Sequence, residues 1–172
     1  MSFDATGYLL TPADGPQLWF LDTRMNVKAG ADQTGGAFTL IEWSAPVGFG
    51  PPLHLHDLED EAFYLLEGEI IVDCGNQRWT AGPGDFAFLP RRVPHSFVVT
   101  QGPVRGLQIT TPAGFEQFIT ELGRPAEQPG LPNPSPPDVP RLIEVGRRYG
   151  HQVLGPPHPA TTLQRPVGRD LT

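Results

Sequence analysis

The chain has almost no cysteine. Cys74 stands alone among 172 residues. No intramolecular disulfide can form, and no sulfur-rich metal site is on offer. Cys74 lies in a turn-like context, VDCGN, and reads as an incidental thiol. Positive charge is scarce too. Twelve lysines and arginines face 19 aspartates and glutamates, a formal net charge of −7. Such a surface disfavours nucleic acid and anionic membrane as partners. Arg91-Arg92 and Arg147-Arg148 are isolated pairs and read as surface charge. Long apolar runs are missing, so no transmembrane helix is expected. The stretch MSFDATGYLLTPADG lacks a basic region followed by an apolar core. No signal peptide is read there, and a cytoplasmic protein is expected.

Glycine and proline, by contrast, are plentiful, at 20 and 21 residues. They punctuate short β-branched and aromatic runs, the pattern of an all-β sandwich or barrel. The length fits a single domain, residues 1–172, able to bury its own core. After an entry arm, strands are expected at 17–22, 37–44, 53–56, 61–66, 69–74, 77–81, 86–89, 95–100 and 104–110. Turns are expected at Glu67-Gly68 and Gly75-Asn76, with loops or a hairpin over 25–36. In Ala37 to Ser44, Phe38, Leu40 and Glu42 share one face, and Thr39, Ile41 and Trp43 the other. Beyond residue 111 the period changes. Phe115, Phe118, Ile119 and Leu122 define one helix face, closed by Gly123. A proline-rich connector follows over 124–140. Asp138 then caps a second helix bearing Leu142, Val145, Gly146 and Tyr149, ended by Gly150. The last twenty or so residues read as irregular.

One stretch carries chemistry: GFGPPLHLHDLEDEAFYLLEG, Gly48 to Gly68. His54 and His56 are two apart, so on a strand their imidazoles share a face. Glu61 opens the next strand. A short turn over 57–60 would let that strand run back antiparallel and bring its carboxylate to the same point. His95 opens a strand about forty residues on and can close the set. Three imidazole nitrogens and one carboxylate suit Fe, Mn, Ni, Co or Cu and leave positions for other ligands. Zinc is less favoured, since its structural sites prefer sulfur. Glu59 and Asp60 sit in a polar turn and read as solvated charge. His151 and His158, among tail prolines, receive no metal role.

Gly48 to Gly68 resembles the first cupin motif, G-x5-H-x-H-x4-E-x6-G. Gly48, His54, His56, Glu61 and Gly68 fill every fixed position. Gly84 to Val99 resembles the second motif, G-x5-P-x-G-x2-H-x3-N, through Gly84, Pro90 and His95. Arg92 stands where glycine is usual, and Val99 where asparagine is usual. The first departure bears on the turn before His95, and the second makes the pocket more apolar. HLHDLEDEAFYLLEGE, TPAGFEQFITELGRPA and YGHQVLGPP further resemble bacterial single-domain cupins similar to quercetin 2,3-dioxygenase. The resemblance implies a jelly-roll-like cupin β-barrel over about 17–111. It has an N-terminal arm and short C-terminal helices in a proline-rich extension over about 112–172.

The resemblance also implies a metal-dependent dioxygenase acting on a flavonol-like or other enol- or phenol-bearing small molecule. Its metal ligands would be His54, His56, Glu61 and His95. Glu61 would also be the catalytic base that accepts the substrate's hydroxyl proton. Dioxygen is the implied co-substrate, and a homodimer the implied assembly. Strand parity adds pocket candidates: Phe63 and Leu65 with Glu61, Phe97 and Val99 with His95, and also Trp43 and Gln108. Two other readings stay open, because cupins carry many chemistries. One is a non-oxygenase metal enzyme (isomerase, decarboxylase or cyclase). The other is a non-catalytic small-molecule binder.

Overall fold

Two long strands organise the fold. β5 (Asp60–Cys74) and β8 (His95–Thr111) pair antiparallel along nearly their whole length. The structure, a computed structural model, describes residues 6–157. His158 thus lies outside the described residues. Midway, β5 and β8 both bend. Their register shifts around Glu67 and Glu69, and Gly68 sits at the bend with φ of 79°. A side chain there would be strained by the left-handed backbone. It would also have no room, because a Cβ would lie 2.7 Å from the Gln101 carbonyl oxygen and 2.8 Å from Val104 Cα. The expected turn at Glu67-Gly68 and the expected break between two strands over 95–110 are therefore corrected. Glycine here permits a close crossing of two bent strands, not a chain reversal.

The bend divides each strand between two half-sheets. The first part of β5 pairs β7 (Phe86–Leu89) and the second part of β8. From there the sheet continues through β3 (Thr39–Ala45), β2 (Thr23–Ala29), β1 (Gln17–Phe20) and the two-residue β9 (Arg124–Pro125). The second part of β5 pairs β6 (Gln77–Ala81). The start of β8 pairs β4 (Leu53–His56), which pairs β10 (His151–Gly155). The halves enclose the core as a jelly-roll-like barrel. On β3 the period-two pattern is clean: Thr39, Ile41, Trp43 and Ala45 are buried, with half-buried residues between them.

Three further expectations change. Residues 23–29 form a strand and not loops, because β1 and β3 flank it and it buries Met25, Val27 and Ala29. A single short helical turn, α1 (Ala31–Thr34), follows. The tail is not irregular at 151–155, where β10 adds an edge to β4.

The two expected helices form. α2 (Phe115–Leu122) buries Phe115, Phe118 and Ile119. α3 (Val139–Arg148) buries Leu142, Val145 and Gly146, and the Asp138 carboxylate accepts its first-turn bond from Arg141 N at 3.0 Å. Both pack over one end of the barrel. Among the described residues no helix is long and apolar enough to cross a membrane.

Candidate metal centre

β4 places His54 and His56 on its inward side, and His54 is the direct cross-strand partner of His95 at the start of β8. Glu61 does not arrive from a strand paired to β4, as the sequence reading expected. It sits in the first part of β5, between Leu89 of β7 and Thr110 of β8, and reaches the histidines across the barrel interior. The acidic connection over 57–60 carries the chain from one half-sheet to the other.

The four side chains come together. One ligand atom from each of His54, His56, Glu61 and His95 lies within 4.8 Å of every other. The ring centroids of His54 and His95 are 4.4 Å apart, and each lies 5.1 Å from that of His56. His56, His95 and Glu61 are nearly inaccessible, while His54 is half-buried. His54 Nδ1 meets the Pro52 carbonyl at 2.8 Å, and His95 Nδ1 the Val93 carbonyl at 2.8 Å. A ring held so through Nδ1 turns its Nε2 toward the centre. Gln108 Nε2 donates to Glu61 Oε1, and Glu61 Oε2 lies 3.1 Å from His95 Nε2.

Charge is distributed unevenly over this cluster. Burial, reinforced by the neighbouring His95, holds the His54 imidazole down at about 4. Burial, with its histidine neighbours, holds His56 well below its ordinary value as well. Burial also opposes a charge on His95, but the Glu61 carboxylate outweighs it and raises that imidazole. Two of the three rings thus present neutral nitrogens, and the third pairs with the carboxylate. Buried, convergent and mixed N/O donors of this kind can hold a metal ion.

The cluster forms part of the wall of a cavity of about 80 Å³. Trp43, Phe63, Phe97 and Gln108 line it, as do His54, His56 and Glu61. Leu65 and Val99 do not. They are fully buried in the core, where their parity points inward but their level along the barrel lies away from the opening. Sequence parity missed Phe49, Phe115, Phe118, Leu142 and His151, which also line it. Their apolar spacing was legible, but only tertiary packing shows that α2 and α3 cover the cavity. Two other readings are corrected. Glu59 is not a solvated turn charge, being buried with its carboxylate 2.8 Å from His151 Nε2. Asp60 is bound by Arg91, whose backbone N–H and guanidinium both donate to it at 2.8 Å.

The departure at Arg92 has a defined consequence. Arg92 adopts φ of 63°, the left-handed conformation in which glycine is at ease. The turn is retained despite the side chain. Its N–H donates to the His56 carbonyl at 2.7 Å, which ties the turn before His95 to the histidine strand.

A barrel of this topology with such a cluster defines a class, and the comparisons agree: residues 42–110 match the family described as cupin domain. In sequence the chain is similar to quercetin 2,3-dioxygenases. It is 29% identical to quercetin 2,3-dioxygenase of Bacillus subtilis (strain 168) over 123 residues, 72% of this chain and 36% of that protein. It is 31% identical to quercetin 2,3-dioxygenase of Aspergillus japonicus over 97 residues, 52% of this chain and 28% of that protein. The chain thus spans about a third of the length of these relatives. The oxalate decarboxylase of Bacillus subtilis, with its Mn(II) centres, superposes with a TM-score of 0.55 at 16% identity. That superposition covers 66% of this chain and 32% of the decarboxylase chain, and the likeness is one of fold.

Proposed function

We propose that the protein is a metal-dependent dioxygenase acting on a flavonol-like or other enol- or phenol-bearing small molecule. The observation that carries this reading is the pairing of the four-donor cluster with an aromatic cavity. Among the described residues no lysine or arginine lines that cavity. An anionic carboxylate or phosphate substrate would find no counter-charge on these walls, whereas a flat neutral enol finds rings. The volume of about 80 Å³ is small beside the roughly 300–1,000 Å³ common for ligand pockets. A compact member of the class therefore fits better than a large one.

His54, His56, Glu61 and His95 would hold one divalent transition metal: Fe, Mn, Ni, Co or Cu. When bound, such an ion polarises an oxygen ligand and favours its ionised form. The residues supply the rest. Trp43, Phe63 and Phe97 pack the substrate ring and exclude water. Glu61 takes the hydroxyl proton of the substrate, since it is the carboxylate facing the cavity. Gln108, donating to Oε1, holds the carboxylate in place with Oε2 beside His95.

Partners follow the same logic: a small molecule and dioxygen, and a second copy of this chain. Part of the outer face is apolar, with Leu40 of β3, Ile109 of β8, Ala62 of β5 and Phe88 of β7 in one cross-strand row and the charged Glu42, Arg105 and Glu67 bordering it. Leu107, Tyr64 and Phe86 form the next row. Phe86, Phe88 and Tyr64 are 62%, 50% and 41% exposed, which fits a sheet-to-sheet homodimer.

The deciding experiment measures oxygen uptake by metal-loaded protein against flavonols and smaller enols and catechols. Uptake is expected with at least one of them, with a Glu61→Gln loss of about 100-fold or more. A metal-loaded protein that consumes no oxygen with any of them would refute the dioxygenase reading in favour of a non-oxygenase metal cupin enzyme.

A further inference from the structure

Behind the four-donor cluster lie two buried polar side chains with no part in the reaction proposed above. Glu59 and His151 are 4% and 5% exposed, as enclosed as the cluster itself. Glu59 Oε1 lies 2.8 Å from His151 Nε2 and 3.3 Å from His56 Nδ1. His151 is also the direct cross-strand partner of His56, so strand pairing sets the two rings side by side. Their centroids are 4.3 Å apart and their planes 31° from parallel. Phe118 of α2 meets the His151 ring edge-on at 4.4 Å.

A comparison of the three cluster histidines shows what Glu59 replaces. His54 and His95 are each held through Nδ1 by the carbonyl two residues upstream, Pro52 and Val93. His56 Nδ1 has no such bond. The Glu59 carboxylate lies beside it instead, as a 3.3 Å charge contact. A histidine whose Nδ1–H faces a carboxylate offers its Nε2 as a more basic ligand with the tautomer fixed. A cation on Nε2 would in turn make that N–H a stronger donor and strengthen the contact. The carboxylate needs its own partner, because a buried charge without one is costly, and His151 supplies it.

We propose that Glu59 is the positioning residue that orients His56 as a metal ligand, and that His151 holds Glu59 for this task. The proposal rests on the metal reading above. It makes β10, which lies outside the matched cupin segment of residues 42–110, a working part of the centre. His56, Glu59 and His151 also bring one ligand atom each within 4.8 Å of one another, so the test must separate a supporting carboxylate from a ligand of a second ion.

The test uses the full chain stripped of metal and titrated with Co(II) against a chelator of known affinity, with the visible Co(II) band recorded. Glu59→Ala should weaken Co(II) binding by about 10–100-fold and shift the band. Glu59→Gln keeps an acceptor oxygen and should recover part of the loss. His151→Phe keeps a ring against His56 and Phe118 and should fall between wild type and Glu59→Ala. If Glu59→Ala does not fold, the two near-isosteric variants decide. Wild-type affinity in these variants, with urea stability alone reduced, overturns the proposal. If His54→Ala still abolishes binding in that case, the metal reading survives. A second Co(II) per chain that Glu59→Ala removes also overturns it, since Glu59 would then be a ligand. A wild-type chain that takes up no Co(II) overturns both readings.

Discussion

Acid should unfold the metal-free protein through His54, and the size of the effect follows from its surroundings. In the unfolded chain this imidazole titrates at 6.5, whereas burial and the neighbouring His95 hold it at about 4 in the fold. The folded state therefore binds this proton less readily. Above pH 6.5 both states are neutral and His54 contributes no pH dependence. As the pH falls through 6.5 toward 4, the unfolded chain takes up the proton and the fold does not, so stability is lost. A depression from 6.5 to about 4 corresponds to about 3 kcal/mol once both forms are titrated, and roughly 2 kcal/mol of it is lost by about pH 5.

His56 acts in the same direction. His95 opposes both, since its raised value gives stability at low pH that is lost as the pH rises through that value. A difference measurement isolates His54. Urea unfolding of wild type and His54→Gln, each with chelator present, is followed by tryptophan fluorescence near pH 8 and near pH 5. Wild type should lose about 2 kcal/mol more than the variant between the two conditions. A gap that stays constant within about 0.5 kcal/mol would show that the cavity does not hold this imidazole neutral.

Two other outcomes test the fold around the site. Arg92→Gly should stabilise the protein by about 0.5–1 kcal/mol, because glycine relieves the left-handed strain at φ of 63° but costs chain entropy. Equal or lower stability in thermal unfolding would count against strain at that turn. Phe88→Lys places a charge in the outer apolar row and should convert a dimer to monomer in sedimentation velocity at micromolar protein, with the fold intact by circular dichroism. A wild-type monomer, or a variant that still dimerises, would remove this face as the interface.

Much of the site could be read along the chain because the relevant periods are short. The period of two on a strand puts His54 and His56 on one face whatever surrounds them. The same rule put Thr39, Ile41 and Trp43 on one face of β3, and that face is the buried one. Helical spacing identified the buried faces of α2 and α3. Glycine at a position of positive φ, as at Gly68, also leaves a local mark, but its meaning was ambiguous. A turn and a bend between crossing strands both call for the same residue.

Residues distant in sequence were decided by the fold. Glu61 reaches the histidines because β5 and β8 bend between the two half-sheets, which no local pattern reports. Leu65 and Val99 share the inward parity of Phe63 and Phe97, yet only the latter pair faces the cavity. Parity determines the side of a sheet, but height along the barrel depends on register with neighbouring strands. Glu59 looked like turn charge until β10 returned 92 residues later to place His151 against it. A carboxylate's environment is a property of whatever packs on it, and here that partner lies in the last described strand. By itself the sequence determined an all-β architecture and the donor types of the cluster, since these rest on short-range geometry, and its motifs supplied the resemblance to cupins. The cavity, the unequal charge on three similar imidazoles and the support behind His56 were decided by tertiary structure alone, since burial and contact are defined only once distant strands meet.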